Sequence, residues 1–390
     1  EGDFNNNLDE AMTNPKNSLY KFVAYHILPE QLEYATMNLL GDHFTKTGMV
    51  KWDELDIEDF FETLMPHSLM RISTPKSDSK FRYINRKGTV KTGLEYPGIK
   101  IIQTPAFDEQ PLNGTYYYVE DVLLYDDATR NGALNTRMRI FCNTMSPDFI
   151  NSNARGRDSG TASLKYTVAF KKGYCQNFAY SDQTRFYVRY WDKYFTCFMG
   201  SEISVMGIFD VAFKLPPVPF DGTYEIRMYV ETMASQSKDR GVIQVYFLDG
   251  NVKSSNLNDI GEGQEWKPCG IPVDLTIAGD DPRIGNFTDQ QISDRGLDVD
   301  VINKAMRNRG YMRAMDSYKT AGDVLLDADV DRWRKILTTE YMQADHDYWV
   351  RVRSTGNSTD KTVCTNCNDT LRLSQRCNRE KKCNYKRRRI

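Results

Sequence analysis

Hydrophobic and polar positions divide the chain into two regimes. From residue 15 to about residue 75 the apolar positions recur mostly at helical spacing. In "PKNSLYKFVAYHIL", Leu19, Phe22, Val23, His26 and Ile27 stand at i, i+3, i+4, i+7 and i+8, one face of a helix or of a helix passing into a strand. "DIEDFFETLM" predicts a second helix, with Asp56 as N-cap and Asp59 three residues later. From "SLMRIST" onward the period changes to alternation. "FRYINRKGTVKTG" predicts a strand, a Lys-Gly turn and the start of another strand. "GTYYYVEDVLLYDD", Gly114 to Asp127, predicts the last strand of a domain, and the polar "DDATRNGALNTR" reads as a joint near residues 126–135.

The remainder alternates at regular spacing. "SLKYTVAF", "TRFYVRYW", "ISVMGIFDVAFKL", "GTYEIRMYVETMA", "GVIQVYFLDG", "GIPVDLTI" and "DYWVRVRS" predict seven strands separated by Gly, Pro, Asp and Asn turns. Tyr224, Ile226, Met228 and Val230 fall on one face, and Glu225, Arg227 and Glu231 mostly on the other. Only "VDVINKAMRNRG" and "DADVDRWRKIL" look helical, and the absence of a βαβ rhythm argues against a parallel sheet. The pattern predicts an α+β region over residues 1–130 and an all-β antiparallel sandwich over 135–353, with jelly-roll-like connections. Residues 354–390 form a basic, cysteine-rich tail.

Composition supports this division. A chain of 390 residues exceeds one ordinary core, and 23 Tyr with 19 Phe suit many half-exposed strands. A net charge of −2 gives no overall field to gather nucleic acid or an anionic membrane. No run approaches the roughly 18–20 apolar residues of a membrane span, and "EGDFNNNLDEAMTNPKNS" is too acidic and polar for a secretory signal.

Candidate chemistry is sparse. Tyr25 and His26 are adjacent, point in different directions, and do not readily serve one reacting atom. With no second ligand at metal spacing, His26 is expected to be a buried, hydrogen-bonded structural residue braced by Tyr25. His43, His67 and His346 stand apart, and Asp345, His346 and Asp347 are consecutive residues that seldom converge on one ion. Asp pairs in "AGDDPRIGN" and "YDDAT" carry calcium-type oxygens but are more often turn formers. G-x-S-x-G, G-x-x-x-x-G-K-[ST] and H-E-x-x-H motifs are absent. Around "PPVPFDGTYEIRMYVETMASQSKDRGVIQVYFLDG", the polar "ASQSKDRG" connection would sit at a sandwich end, where loops bind ligands. Cys142, Cys175, Cys197 and Cys269 read as buried free thiols.

The tail has Cys364, Cys367, Cys377 and Cys383 at C-x₂-C-x₉-C-x₅-C spacing, followed by Lys386-Arg387-Arg388-Arg389. Four thiolates suit tetrahedral zinc, yet the last gap is wide for a knuckle and the middle one short for a ribbon. The tail equally reads as a solvated or nucleic-acid-binding basic end, or as a sequence not native to the domain.

Two segments carry a family resemblance. "LYKFVAYHIL", containing Tyr25 and His26, is similar to the leucine-rich, Tyr-His segment of fasciclin-type adhesion domains. "NGTYYYVEDVLLYDD", with Asn113, Gly114 and Asp121, is similar to their closing segment. The family's first Thr-x-Phe-x-Pro-type segment has no counterpart, so the chain is expected to begin inside that domain. "LPPVPFDGTYEIRM", "RGVIQVYFLDG", "GIPVDL", "RNRGYMRAMDSY" and "DYWVRVRS" resemble the domain that follows fasciclin repeats in surface lipoproteins of Gram-negative gut bacteria.

The resemblance implies a non-catalytic binding protein with no cofactor. Its expected partner is a glycan or a surface protein, beside an outer-membrane nutrient-uptake complex, and not nucleic acid. Its place would be the outer-membrane surface, held by a lipid anchor that this chain does not carry. The alternatives are a glycan-active enzyme using Glu231, Asp239 and Asp249, and a zinc or nucleic-acid protein defined by its tail.

Overall fold

A computed structural model describes residues 12–34, 37–38, 57–75, 80–89, 93–102, 113–136, 138, 140, 142–152, 166–190, 201–206, 208–230, 242–252, 264–274, 289–308, 310–313, 333–355 and 370–372. The side chain of Asn17 accepts from Leu19 N at 2.8 Å and starts helix α1, Ser18–Tyr25. Its buried residues are Ala24 and Tyr25, while Phe22, His26 and Ile27 are exposed. The expectation of a buried His26 is therefore overturned. His26 is the C-cap, with its ring Nδ1 2.7 Å from Phe22 O. Tyr25 takes the interior because both its hydroxyl bonds are made there, to Leu69 O at 3.2 Å and from Asn85 Nδ2 at 2.9 Å.

"DIEDFFETLM" is not a helix. Ile57–Glu62 is strand β1, in antiparallel register with β2, Leu69–Thr74, so that Phe60 faces Arg71 and Phe61 faces Met70. Phe60 and Phe61 enter different apolar clusters, and all six β2 residues are buried. Burial on both faces removes the alternation that marks a half-exposed strand. Strands β3 (Arg82–Ile84), β6 (Ile99–Ile102) and β7 (Tyr118–Val119) complete a sheet of order β1-β2-β3-β6-β7. Strands β4 (Lys87–Thr89) and β5 (Gly93–Tyr96) form a separate pair. The "GTYYYVEDVLLYDD" strand is reduced to its two β7 residues. Tyr25, Phe61, Met70, Ile72, Ile101 and Leu123 share the core of this region.

Two short helices follow. Asp126 caps α2 (Asp127–Asn131) by accepting from Thr129 N at 2.7 Å, so the "YDDAT" turn caps a helix. Helix α3 is Pro147–Asn151; its Phe149 is buried in one core and its Ile150 in another.

The later strands are β8 (Tyr166–Ala169), β9 (Phe178–Tyr180), β10 (Arg185–Tyr190), β11 (Ser201–Met206), β12 (Asp210–Lys214), β13 (Gly222–Val230) and β14 (Val242–Asp249). After them come β15 (Lys267–Pro268), β16 (Val273–Asp274), helices α4 (Asp289–Asp294) and α5 (Val299–Asn308), then β17 (Tyr311–Arg313), β18 (Trp333–Met342), β19 (Tyr348–Ser354) and β20 (Thr370–Arg372). They build antiparallel sheets of order β20-β11-β10-β8, β15-β14-β19-β12-β9 with β16 on β14, and β13-β18-β17. All three give side chains to one core, including Phe186 and Val205, Val211, Val245 and Val350, and Met228 and Leu337. The described residues are thus mostly antiparallel β with a few helices, layered as in a sandwich at coarse level.

"VDVINKAMRNRG" is helical, as its spacing predicts. The last five residues of "DADVDRWRKIL", 333–337, belong to β18, the central strand of its sheet, and the six before them lie outside the described residues. Lys335 and Leu337 are both buried there.

Candidate functional site

Strands β12, β19 and β14 lie side by side, and their alternation sorts two faces. Val211, Phe213, Ile243, Val245, Phe247, Val350 and Val352 point to the sandwich core. The opposite face carries three cross-strand rows: Lys214–Trp349–Leu248, Ala212–Arg351–Tyr246 and Asp210–Arg353–Gln244. The first row is closed, with Trp349 and Leu248 buried in the same apolar cluster, and Ala212 of the second row is buried with them. In the last row the face opens only at Arg353, whose side chain is 56% exposed, while Gln244 is buried and Asp210 largely so.

Arg351 organises the open end. Its Nε donates to Asp210 Oδ1 at 2.8 Å and its Nη2 to Asp210 Oδ2 at 2.6 Å, a two-point fork that fixes the guanidinium plane. The guanidinium carbon lies 5.6 Å from the Tyr246 ring centroid and 5.7 Å from that of Trp266. The bond to Asp210 holds Arg351 even further above neutrality than an ordinary arginine. Arg353 Nε stands 3.8 Å from the same carboxylate and keeps most of its surface in water. Gln244 Nε2 donates to Val245 O at 2.8 Å, and the Gly270–Pro272 loop beside it projects Ile271, 83% exposed. Half-buried Tyr and Trp rings, a fixed guanidinium and a second, largely exposed one together offer apolar surface with hydrogen-bond donors at its rim. That combination suits a ligand with both a hydrophobic face and hydroxyls.

A second polar cluster closes the covered end. Lys214 Nζ lies 2.6 Å from Glu62 Oε1 and 3.0 Å from Asp347 Oδ1. Asn251 Nδ2 donates to Asp347 Oδ2 at 2.5 Å, and His67 Nε2 is 3.6 Å from Asp347 Oδ1. His67 sits in the turn between β1 and β2 with φ of 56°, a left-handed conformation unusual for a residue with a Cβ. Burial opposes charge on Lys214, but Glu62 and Asp347 outweigh it and hold the ammonium above the usual lysine range. Burial likewise opposes the Asp347 carboxylate, and Lys214, His67 and Asn251 outweigh it and hold that group low. The cluster joins the β1–β2 hairpin to the sandwich and is satisfied by its own members.

The other expected site residues are dispersed. His346 pairs with Asp249 at 3.1 Å, while its neighbour Asp347 pairs with Lys214 and His67, so the Asp-His-Asp run does not converge. Asn113 is exposed, a Cβ on Gly114 would meet nothing within 4 Å, and Asp121 accepts from Val122 N at 2.7 Å. His43, Glu231, Asp239, "AGDDPRIGN", "ASQSKDRG" and Cys364, Cys367, Cys377 and Cys383 lie outside the described residues. Among the described residues no group of three or more His, Cys, Asp or Glu side chains is placed to hold a metal ion. Arg351 and Arg353 alternate visibly in "DYWVRVRS", but Asp210 on β12 and Trp266 just before β15 are distant in sequence, and no local pattern links them to the arginines. Comparison of the chain with protein-family models, with curated proteins and with solved structures finds no match.

Proposed function

We propose that this chain is a non-catalytic cell-surface binding protein that recognises a glycan, with a partner surface protein as the other expected ligand. In this reading a fasciclin-like region precedes a jelly-roll-like sandwich on an exported, lipid-anchored protein of a Gram-negative outer membrane. The observation that carries it is Arg351, fixed by Asp210 between Tyr246 and Trp266 beside the open Arg353. Aromatic rings bury one face of a sugar, and rim donors hold its hydroxyls. Rigid rings do so at little cost in conformational entropy.

The test is a thermal-shift and calorimetric screen of the purified chain against neutral and acidic oligosaccharides. Binding should raise the melting temperature by mass action. Trp266→Ala and Arg353→Ala should each weaken the best ligand about tenfold or more, at unchanged fold. Silence of the wild-type chain across the panel, or binding indifferent to both substitutions, would remove the proposal. Release of sugar from any substrate would replace it with an enzyme.

A further inference from the structure

A sheet edge offers backbone groups to another strand, and among the described residues the longest edge is β13. Its nine residues pair with β18 on one side only, whereas the edge strand β1 has six residues and the other edge strands have two to four. Among the described residues, no backbone hydrogen bond joins Gly222–Val230 to anything but β18. The devices that usually blunt an edge are missing here. β13 contains neither Pro nor Lys, and the register shift beside Ile226 places its extra residue, Leu337, on β18. Alternation gives the strand two faces. Met228 is buried in the sandwich core, with half-buried Tyr224 and Ile226 packed against it. Thr223 and Glu225 are exposed on the other face, where Arg227 Nε donates to Glu225.

We propose that β13 is a dimerisation edge, to which a second copy of this chain adds its own β13, antiparallel, about a two-fold axis through Ile226. Ile226 is the midpoint of the strand, so this register pairs its whole length, Gly222 with Val230 of the second copy and Thr223 with Tyr229. The same register sets Glu225 opposite Arg227 of the second copy and, by symmetry, Arg227 opposite Glu225. Together with the pair that each chain already makes, the charges then alternate around the axis. An axis through Glu225 or Arg227 would instead place like charges face to face. On the core side, Ile226 meets its own copy and Tyr224 comes beside Met228, so the half-buried rim of the core is covered by an identical rim. This self-complementary order of charges and apolar side chains fits a second copy, where an unrelated extended peptide would find only backbone. An edge of this length is smaller than a standard interface, so the dimer is reversible, with a dissociation constant on the order of 10–100 µM. The pairing does not depend on the glycan reading.

The test is sedimentation equilibrium of the full chain from about 1 to 300 µM. Wild type should pass from monomer towards dimer over that range, and hydrogen exchange of residues 222–230 should slow as it does. Glu225→Arg and Arg227→Glu should each weaken association about tenfold or more, because each sets like charges opposite one another on both sides of the axis. An equimolar mixture of these two variants should form a heterodimer, since every charge then faces its opposite. Glu225→Arg/Arg227→Glu should self-associate as wild type does, which keeps the test decisive if a single variant fails to fold. Circular dichroism melts report the folding of each. If wild type stays monomeric throughout, if both single variants dimerise as wild type does, or if their mixture stays monomeric while both are folded, the proposal is refuted. It is equally refuted if exchange in β13 slows only when an extended peptide is added and no dimer forms.

Discussion

Lys214 Nζ lies 2.6 Å from Glu62 Oε1 and is the cation on which two acidic side chains converge, one from β1 and the other, Asp347 at 3.0 Å, from the connection just before β19. Replacing it with the near-isosteric but uncharged methionine leaves Glu62 and Asp347 without their shared cation, with Asn251 and His67 still beside Asp347. Removing one member of a largely buried charge cluster costs more than the cluster is worth, and we expect Lys214→Met to lower stability by about 2–4 kcal/mol. Urea denaturation measures this. A change below about 0.5 kcal/mol would mean the cluster behaves as exposed surface pairs do.

The same cluster makes a pH prediction. Asp347 is held below its ordinary value, so its contribution is present above the unfolded carboxylate value of about 3.9 and is lost as pH falls through the lower folded value. Lys214 is held above its ordinary value, so its contribution is fully present below about pH 10.4 and is lost as pH rises through the folded value. The stability difference between wild type and Lys214→Met should therefore be flat from about pH 5 to pH 9 and shrink at both ends. A difference that peaks sharply near neutrality would assign the effect to another group.

Tyr25 and His26 should respond in opposite ways. Tyr25→Phe leaves Asn85 Nδ2 and Leu69 O without the hydroxyl that now joins them, inside a buried core, at a cost of about 1–2 kcal/mol. Exposed His26 should tolerate alanine within about 0.5 kcal/mol. Burial also pushes the Tyr125 phenol, whose ring centroid is 5.1 Å from that of Tyr25, up to about 12. Equal melting temperatures for the two variants would contradict this assignment.

Where one face of a strand is wet, the pattern was readable. Gly222–Val230 alternates in sequence and in the fold, with Met228 buried and Glu225 exposed, interrupted only by a bulge between Ile226 and Arg227. Where both faces are covered, it was not. Phe60 and Phe61 are neighbours buried in opposite directions, a pattern that period alone assigns to a helix. His26 shows the same limit from the other side. A helix of eight residues is positioned by whichever side chain finds complete partners, and Tyr25 found them in Leu69 and Asn85. The candidate face was legible only as the outward arginines of "DYWVRVRS"; its meaning came from Asp210, Tyr246 and Trp266, brought beside them by tertiary pairing.

Gly132, just after α2, should resist substitution. A Cβ there would fall inside the Tyr96 ring, whose hydroxyl donates to Ala128 O at 2.6 Å, and close to that same carbonyl. Gly132→Ala must displace the ring and lose the bond, which we expect to cost about 1–3 kcal/mol. Adding Tyr96→Ala should recover part of that loss in a double-mutant cycle. Strict additivity would show that the two residues do not meet.

Arg351→Lys keeps a positive charge but surrenders the planar fork to Asp210 and the flat contact with Tyr246 and Trp266. The expected result is a stability loss of about 1 kcal/mol together with weaker binding of any ligand that wild type selects in the glycan screen. Retention of full affinity would leave Arg351 a purely structural residue.

Phe149 and Ile150 adjoin in a five-residue helix, yet one is buried with Phe178 and Phe186 and the other with Tyr25 and Ile72. The consequence is practical for anyone cutting the gene. A fragment ended at the polar joint near residue 130 would leave behind the isoleucine that fills its own interior, and with it Asn151, whose Oδ1 receives Gln31 N at 2.8 Å. A fragment begun there would carry that isoleucine into water. An expression boundary placed after residue 152 should yield the better-behaved N-terminal piece.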